Sequence, residues 1–449
     1  MMPFRGQRIA VVGLGKAGLP AARRLRDWGA DVTCWDDGEA ARAEAAALGL
    51  AVANPAEFFD FDALLLSPGI PHTLPRVHPA AAAARAAGAP ILADVEFLFR
   101  AVRACGSAAR FVGITGTNGK STTTALLAHL LARAGVPVEA GGNLGPAALD
   151  MTILDDAGVY VLEMSSYMLE RIADLRFNVA AMLNLSPDHL DRHGDMAGYR
   201  AAKARIFAAQ DGGDVAVLGQ DDPETASLGA SLAAQLVPIS GAAPQPGGVW
   251  AEGALLRDAA GVIADLATCP TLPGQHNAQN AAAAVAMALA LGLDRVSLAE
   301  GLRLYPGLPH RQELVGRIGA VRFVNDSKAT NADSTARALA SYARVLWIAG
   351  GTGKAGGITP LAEYFPRVAE AFLIGRDAPE FAATLAAHGV RHRLCGTLAE
   401  AVPAAAAAAR AEDVVLLSPA AASWDQFTGF DARGDAFRAL VRALPGVEY

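Results

Sequence analysis

The stretch that decides the fold of this 449-residue chain is Gly113-Ile114-Thr115-Gly116-Thr117-Asn118-Gly119-Lys120-Ser121-Thr122. An apolar segment, Phe111–Ile114, leads into it, and a helix-like run, Thr123–Arg133, follows it. This order of strand, loop and helix is typical of a phosphate-binding loop, in which backbone N–H groups and a helix N-terminus converge on phosphate oxygens. Lys120 offers a mobile cation and Ser121 a hydroxyl for Mg²⁺. The stretch therefore predicts a nucleoside triphosphate site in an α/β domain.

The loop departs from the common P-loop pattern at one position. That pattern has a glycine five residues before Gly119, where this chain has Ile114, and the glycine lies one residue earlier, at Gly113. A glycine-rich turn with a chance lysine is the alternative interpretation, and the intact strand–loop–helix order disfavours it. The residues predicted to contact ATP in this loop are Gly116, Thr117, Asn118, Gly119, Lys120, Ser121 and Thr122.

Composition limits the class of protein. The chain is too long for one core, and its 52% hydrophobic and 18% charged residues are typical of a globular protein. A formal net charge of −7 leaves no basic face for nucleic acid, and no apolar run reaches the length of a membrane span. The N-terminus shows no signal pattern, and the four cysteines form no metal or redox spacing. We therefore expect a cytoplasmic protein without nucleic-acid or membrane partners.

Alternation of strand-like and helix-like runs predicts an α/β fold with three domains. These are an N-terminal Rossmann-like domain (1–100), a central P-loop ATPase-type α/β domain (101–308) and a C-terminal Rossmann-like α/β domain (309–449). Ala101–Ala109 is expected to be a connection, and Pro306–Pro309 a linker. The predicted strands are Ile9–Val12, Val32–Trp35, Ala63–Leu66, Phe111–Ile114, Val159–Leu162, Val321–Val324, Val345–Ala349, Ala371–Ile374 and Val414–Leu417. The predicted helices are Ala21–Trp28, Ala40–Ala47, Ala80–Ala87, Thr123–Arg133, Asn277–Leu291 and Ala404–Ala409.

The first domain carries a second glycine-rich motif, Gly13-Leu14-Gly15-Lys16-Ala17-Gly18, after a predicted strand. An acidic pair, Asp36-Asp37, ends the next strand, as in the dinucleotide fingerprint. The pyrophosphate of a UDP-sugar offers the same group as that of a dinucleotide, and a purely structural turn is a third possibility. The segment Leu66–Pro71 ends another strand and can present Ser67 to the same ligand.

The central domain offers groups for metal and base binding. Glu163 follows the strand Val159–Leu162, where a doubly wound sheet presents ligand groups, and its carboxylate can hold Mg²⁺. The segment Asn184–His193 packs ionisable groups at another strand end. The local sequence around Lys203 is that of an ordinary surface lysine on a helix. Asn277 could be a helix N-cap, or the amides of Asn277 and Asn280 could contact adenine, and both interpretations stay open.

The third domain carries three polar loops at predicted strand ends: Asn325–Asn331, Gly350–Lys354 and Leu417–Phe427. Loops of this density favour binding over simple turns. Their lysines, Lys328 and Lys354, together with helix starts, could hold a small dianion.

Taken together, these segments resemble the Mur ligase family and, within it, the members that add glutamate. The motifs that carry the resemblance are Gly116–Thr122, Leu162–Ser166, His189–Arg192, His276-Asn277 with Asn280, Asn325–Asn331 and Leu417–Phe427, and they span nearly the whole chain. The resemblance implies an ATP-dependent amide ligase of peptidoglycan precursor synthesis, acting in the cytoplasm as a monomer. Such an enzyme adds D-glutamate to UDP-N-acetylmuramoyl-L-alanine through an acyl phosphate, giving ADP and phosphate.

The resemblance also implies roles for individual residues. Lys120, Glu163, His189 and Lys203 would be catalytic, with one Mg²⁺ at Ser121 and Glu163 and a second at His189 and a carbamylated Lys203. Asn277 and Asn280 would face adenine, and Arg311 and Asp326 the phosphate and ribose of ATP. The UDP-sugar would contact Leu14, Gly15, Lys16, Asp36, Ser67, Gly69 and Asn143. Glutamate would contact Lys328, Thr330, Lys354, Ser423 and Phe427.

The chain departs from the family pattern at four places. Met168 stands where Gln is common, Thr352 where Asp is common, Asp37-Gly38 where a Thr-Arg pair is frequent, and Ala421 where Cys is common. Three other functions compete: a ligase with another substrate, such as folylpolyglutamate synthase; a nicotinamide dehydrogenase built on the Gly13–Gly18 motif; and a non-catalytic ATP-dependent switch. The loops of the third domain disfavour the first and third, and a phosphate loop has no place in the second.

Overall fold

The chain forms two compact units, which a computed structural model describes over residues 2–353 and 356–448. The first unit comprises residues 1–268 and 277–304, and the second comprises residues 269–276 and 305–449. Two sheets lie in the first unit, and a third large sheet with a two-stranded ribbon lies in the second.

The first sheet is parallel throughout, with strand order β3-β2-β1-β4-β5. Its central strands are continuous apolar runs because helices cover both faces. The order reverses between β1 and β4, where a doubly wound sheet opens a ligand crevice. The strands are β1 (Arg8–Val12), β2 (Asp31–Trp35), β3 (Ala51–Val52), β4 (Ala63–Leu66) and β5 (Ile91–Leu92), and the helices are α1 (Gly18–Asp27), α2 (Glu39–Ala47), α3 (Pro79–Ala86) and α4 (Asp94–Ala104).

The second sheet has nine strands in the order β14-β13-β12-β11-β10-β9-β6-β8-β7. It is parallel except for β12, β13 and β14, which pair antiparallel at one edge. The strands are β6 (Arg110–Thr115), β7 (Val138–Gly142), β8 (Val159–Glu163), β9 (Val179–Met182), β10 (Val215–Gly219), β11 (Gln235–Ser240), β12 (Val249–Glu252), β13 (Leu255–Asp258) and β14 (Gly261–Asp265). The helices are α5 (Lys120–Arg133), α6 (Ser166–Leu169), α7 (Leu190–His193), α8 (Met196–Ala204), α9 (Pro223–Ala226), α10 (Gln275–Ala290) and α11 (Arg295–Arg303).

The third sheet has the order β15-β16-β21-β17-β19-β20 and is parallel apart from the β15–β16 pair. The ribbon consists of β18 and β22. The strands are β15 (Glu313–Ile318), β16 (Val321–Asn325), β17 (Val345–Gly350), β18 (Thr352–Gly353), β19 (Val368–Ile374), β20 (His392–Gly396), β21 (Val414–Leu417) and β22 (Ala421–Ala422), and the helices are α12 (Ala332–Ala340), α13 (Ala378–Ala387), α14 (Leu398–Ala408) and α15 (Phe430–Arg442). Short 3-10 helices occur at Ala148–Asp150, Arg205–Phe207, Gly229–Ser231, Leu266–Thr268 and Thr359–Arg367.

The α/β fold class predicted from the sequence is confirmed. Each predicted strand lies within an observed one, and each predicted helix ends within one residue of an observed helix end. The expected connection Ala101–Ala109 is wrong in its first half, because α4 continues to Ala104 and buries Ala101 and Val102. The antiparallel edge formed by β12 to β14 was not predicted. The division at residues 100 and 308 stays a prediction.

Among the described residues, no helix combines the length and apolar character that a membrane span requires.

Candidate active site

The phosphate loop connects β6 to α5 and takes its shape from two glycines. Gly116 and Gly119 have φ values of 145° and 86°, which side chains with a Cβ rarely adopt. Gly113, one residue from the usual P-loop glycine position, lies inside β6 instead, where a Cβ would press on the ring of Phe177. Its role is to admit a neighbouring aromatic ring, and the loop begins only at Gly116.

Replacing Gly119 with alanine is expected to weaken ATP binding by at least about tenfold. The new Cβ would meet the side-chain oxygen of Asn280, and the positive φ adds strain. Gly135, at the other end of α5, offers a matched control, since its φ is 76° and an added Cβ would meet nothing within 4 Å. Titration of both variants with AMPPNP tests this, and equal affinities would contradict the steric argument.

Two lysines share one backbone carbonyl of this loop. Lys120 Nζ donates to the carbonyl oxygens of Gly116 and Thr117, both at 2.9 Å. Lys203 Nζ donates to the same Gly116 oxygen at 2.8 Å and lies 3.3 Å from Thr115 Oγ1. Burial, reinforced by the charge of Lys120, lowers the pKa of Lys203 well below its usual value. The protonated form of Lys203 is therefore less favoured than that of an exposed lysine.

Glu163 lies at the end of β8, next to β6 in the sheet. Its side chain is 2% exposed, and its Oε1 accepts a hydrogen bond of 2.7 Å from Asn143 Nδ2. Its other oxygen, Oε2, is buried and has no hydrogen-bond partner among the residues that the structure describes. A buried carboxylate oxygen without a donor costs free energy unless a cation or a water contacts it. Glu163 therefore fits a cation ligand.

The donor set suits Mg²⁺ bound together with a triphosphate. The Ser121 hydroxyl and the Glu163 carboxylate are hard oxygen ligands, and both residues are buried at this strand edge. Within residues 2–353 and 356–448, no cluster of three or more His, Cys, Asp or Glu side chains could hold a metal alone. Mg²⁺ sites of kinases and ATPases commonly use one or two carboxylates, the phosphates and water, so this set fits.

His189 stands immediately before α7, in the left-handed conformation with φ 54°. Its imidazole is 46% exposed and lies 3.4 Å from a carboxylate oxygen of Asp188. Burial lowers the pKa of His189, Asp188 opposes this shift, and the charges of Lys203 and Lys120 lower the pKa further. His189 thus lies close enough to both lysines to be influenced by their charge.

The asparagines of α10 pack against the phosphate loop. Asn280 Nδ2 donates to Asn277 Oδ1 at 3.1 Å, and Thr123 Oγ1 donates to Asn280 Oδ1 at 3.3 Å. The interpretation of Asn277 as a helix cap is wrong, because α10 begins two residues earlier, at Gln275. Both amides are nearly inaccessible, so contact with adenine stays a prediction for them.

The motif of the first sheet forms a closed turn. Ser67 Oγ donates to the carbonyl oxygen of Gly13 at 2.8 Å, and Asp36 accepts the N–H groups of Leu14 and Gly38 at 2.7 and 2.8 Å. A Cβ on Gly18 would collide with the Gly13 carbonyl. Gly15, Lys16, Asp37, Gly38 and Gly69 are exposed there. The turn thus orders its own polar groups and presents an exposed cation beside them.

The second unit brings the predicted loops of the third domain together. Ser418 Oγ donates to Asp326 Oδ2 at 2.7 Å, and the N–H of Ala420 donates to the Ala329 carbonyl at 3.0 Å. Lys328 Nζ lies 4.7 Å from the ring centre of Phe430. Thr330 and Phe427 are half-buried, and Ser423 is buried. Lys354 lies outside the described residues, and Arg311 is half-buried in this unit.

Arg433 is a residue of this region that sequence reasoning missed. Its guanidinium, in a side chain that is 1% exposed, donates to the carbonyl oxygens of Ser327 and Ala421 at 2.8 and 3.0 Å. It also lies 3.5 Å from the Gly350 carbonyl oxygen. Arg433 therefore ties together three loops, the most distant of which contains Ser327, 106 residues from Arg433 along the chain. No local motif marks such a residue.

Asp326 should make stability depend on pH. Burial raises the pKa of Asp326 to about 7 from the ordinary 3.8. Between these two values the unfolded chain holds fewer protons than the folded chain, so the free energy of unfolding falls as pH rises from about 4 to 7. We expect Asp326→Asn to lose this component, worth on the order of 4 kcal/mol at pH 8. Melting curves at pH 4 and pH 8 measure it, and parallel profiles would contradict it.

Lysine is scarce in this chain, and its few positions coincide with the predicted sites. Lys16, Lys120, Lys203, Lys328 and Lys354 are the chain's only lysines, among 38 basic residues. All five belong to the sites predicted above, whereas the other basic residues are arginines. A compact, mobile ammonium differs from a planar guanidinium in geometry and reactivity. This count could have singled out Lys203, which the local pattern presents as an ordinary surface residue.

The sheets and the phosphate loop define a multidomain P-loop nucleotide-binding protein, and comparison with known proteins makes the class specific. A family model described as the Mur ligase middle domain matches residues 114–288, and one described as the Mur ligase glutamate ligase domain matches residues 310–421. The chain belongs to the Mur ligase family and is an ATP-dependent ligase.

The similar proteins are matched over nearly their whole length. The chain is 50% identical to the UDP-N-acetylmuramoylalanine--D-glutamate ligase of Paramagnetospirillum magneticum, covering 98% of this chain and 97% of that protein. It is 48% identical to the protein of the same name from Caulobacter vibrioides, covering 99% and 98%. The crystal structure of the UDP-N-acetylmuramate-alanine ligase MurC from Thermotoga maritima aligns with a TM-score of 0.61 at 18% identity, over 97% of this chain and 99% of that one. That likeness concerns the fold.

Proposed function

We propose that this enzyme joins D-glutamate to the carboxylate of UDP-N-acetylmuramoyl-L-alanine. The observation that carries the proposal is the convergence of Lys120 and Lys203 on the Gly116 carbonyl, in a sheet whose neighbouring strand ends in Glu163. Relatives with about half of their residues identical carry the name of this reaction. The same likeness places the product among peptidoglycan precursors.

A carboxylate does not react with an amine at neutral pH because it lacks a good leaving group. In the proposed reaction, a carboxylate oxygen attacks the γ-phosphorus of ATP in line, and the bond to the β–γ bridging oxygen breaks to release ADP. The glutamate nitrogen, once deprotonated, then attacks the acyl carbon, and phosphate leaves with the oxygen it received. Lys120 would stabilise the charge that gathers on the transferred phosphoryl oxygens.

Ser121 and Glu163 would hold Mg²⁺ when ATP binds. The ion supplies positive charge that offsets the repulsion between the anionic carboxylate and the anionic phosphate. Asn143 would keep Glu163 in position, because its amide binds one carboxylate oxygen and leaves the other available. His189, immediately before α7, would orient the metal ion or the substrate group that it contacts.

Lys203 is proposed to react with CO₂ and become a carbamate. Such a step needs a neutral amine, whose nitrogen forms the bond to carbon and loses one proton. Burial to 2% exposure beside a second ammonium group shifts Lys203 toward that neutral form. The product carries a carboxylate in place of an ammonium and could bind a second Mg²⁺ together with His189.

The two remaining substrates are assigned to the other sheets. The UDP-sugar is proposed to bind at the turn of the first sheet, with Lys16 and the N-terminus of α1 near the diphosphate. Glutamate is proposed to bind at the loops that contain Lys328, Thr330, Ser423 and Phe427. We further propose that the enzyme acts as a monomer in the cytoplasm, in keeping with four cysteines that form no disulfide within the described residues.

Phosphate release from ATP tests the proposed function. Release should require both D-glutamate and UDP-N-acetylmuramoyl-L-alanine, and a new amide should form with one phosphate per product. Replacement of D-glutamate by L-glutamate, L-alanine or diaminopimelate should abolish product formation. Release that depends on a different amino acid would assign another ligase reaction, and release that depends on neither substrate would contradict a ligase.

A further inference from the structure

Arg171 is a buried arginine bound to a loop far away in sequence. Its side chain is 1% exposed. Its Nη1 donates to the carbonyl oxygens of Leu66 and Ser67 at 2.8 and 2.9 Å, and its Nη2 donates to that of Ile70 at 2.5 Å. Its Nε donates to Nδ1 of His72 at 3.2 Å. These four acceptors belong to residues 66–72, which comprise the last residue of β4 and the loop that follows it. This segment is here named the β4 loop.

The β4 loop has few hydrogen-bond donors with which to hold its own shape. Pro68 and Pro71 lack an N–H group. The N–H of Ser67 is used by the neighbouring strand, and that of Ile70 closes a tight turn on the Ser67 carbonyl. A second arginine, Arg192, donates to the Gly69 carbonyl at 3.1 Å. Four carbonyl groups, those of Leu66, Ser67, Gly69 and Ile70, are thus fixed from outside by guanidinium groups.

Arg171 belongs to the chain segment that leaves the catalytic strand β8. That segment begins at Glu163, passes through α6 and reaches Arg171 eight residues later. The backbone of Arg171 is itself anchored, because its N–H donates to Met168 and its carbonyl accepts from Ala93. A single short segment therefore carries the proposed Mg²⁺ ligand at one end and the anchor of the β4 loop at the other.

We infer that Arg171 is the positioning residue of the UDP-sugar site, which it builds by holding the β4 loop against the segment that carries Glu163. This inference rests on the proposed function, since Ser67 and Gly69 of that loop are proposed to contact the UDP-sugar. Arg171 touches no reacting atom. It sets how closely the sugar nucleotide lies to the triphosphate.

The charges around Arg171 favour this arrangement. Burial lowers the pKa of Arg171 to about 10, so the guanidinium remains charged at neutral pH. Burial, together with the charge of Arg171, lowers the pKa of His72 to about 4, so its Nδ1 is available as an acceptor. Charged groups form stronger hydrogen bonds than neutral ones, and four acceptors in a fixed fork suit arginine better than lysine.

The test compares Arg171→Met and Arg171→Lys with Arg103→Met. Arg103 is a matched control, because it also donates to two backbone carbonyls, those of Ser107 and Ala109, but in the connection after α4. Calorimetry without ATP measures the affinity for UDP-N-acetylmuramoyl-L-alanine, a separate titration measures that for AMPPNP, and steady-state kinetics gives KM and kcat.

We expect Arg171→Met to weaken UDP-sugar binding by about tenfold or more, with AMPPNP affinity changed by less than about twofold. Arg171→Lys should be intermediate, and Arg103→Met should match the wild type for both ligands. If Arg171→Met does not fold, the affinities of Arg171→Lys for the UDP-sugar and for AMPPNP decide whether the inference holds.

Unchanged UDP-sugar affinity in both Arg171 variants, or equal weakening of both ligands, would overturn the inference while the proposed function stands. A wild-type enzyme that binds AMPPNP but no UDP-sugar would instead remove the proposed function, and the inference with it.

Discussion

Replacing Lys120 with alanine should lower turnover by at least about a hundredfold, since one cation aimed at the charge of a transition state is commonly worth that much. The ammonium group lies at the start of α5 and donates to two loop carbonyl oxygens. Phosphate oxygens would compete for it when ATP binds. Initial rates of phosphate release at saturating substrates measure the effect, and near-normal turnover would refute the assignment of this loop.

Arg133→Ala is the control for the Lys120 variant. Arg133 ends the same helix, and its side chain is 41% exposed beside Glu300. Surface ion pairs of this kind contribute little to stability, so turnover should stay at the wild-type value. A comparable loss in both variants would mean that damage to α5, rather than loss of the cation, lowers the rate.

Replacing Lys203 with alanine should abolish most activity, and short carboxylates such as formate or acetate should restore part of it. The physical reason is that a carbamate presents two oxygens where the lysine presents one nitrogen, and a small carboxylate can fill the space that alanine leaves. The expected loss is about a hundredfold or more, in line with loss of a group that holds charge at the transition state. Rates with and without added carboxylate measure both effects.

Two further measurements separate the carbamate from a purely structural lysine. Removal of CO₂ and bicarbonate should slow the wild-type enzyme reversibly, and labelling with ¹³C-bicarbonate should give a carbamate resonance that Lys203→Ala lacks. Lys120→Ala supplies the matched control, because it should not respond to added carboxylate. If the carboxylates rescue neither variant and no resonance appears, Lys203 acts as a lysine and the second Mg²⁺ loses its proposed ligand.

The four departures from the family pattern fall in different surroundings. Met168 is 2% exposed and belongs to the apolar core of the first unit. Its thioether therefore packs among apolar side chains at the position where the family commonly has the polar amide of Gln. Asp37 receives a hydrogen bond of 3.3 Å from Trp35 Nε1. The side chain of Ala421 is buried, and its carbonyl accepts from Arg433. Thr352 lies in the ribbon strand β18.

The amino-acid sequence by itself determined the α/β class, nine apolar strands and the phosphate loop. These features follow from local rules: continuous apolar runs form buried strands, and glycines with positive φ shape the loop before α5. The strand β21, Val414–Leu417, and the loop glycines Gly116 and Gly119 could be recognised because the pattern that marks each of them lies within its own short stretch of sequence.

Only the tertiary structure decided which residues that are distant in sequence come into contact. Lys203 meets the Gly116 carbonyl across 87 residues, and Arg171 meets the β4 loop across about a hundred. Asn143 reaches Glu163 because β7 and β8 are parallel neighbours. A buried guanidinium or ammonium group is stable only where several acceptors converge on it, and that convergence arises from the packing of sheets and helices. The local pattern around each of these residues contains no trace of it.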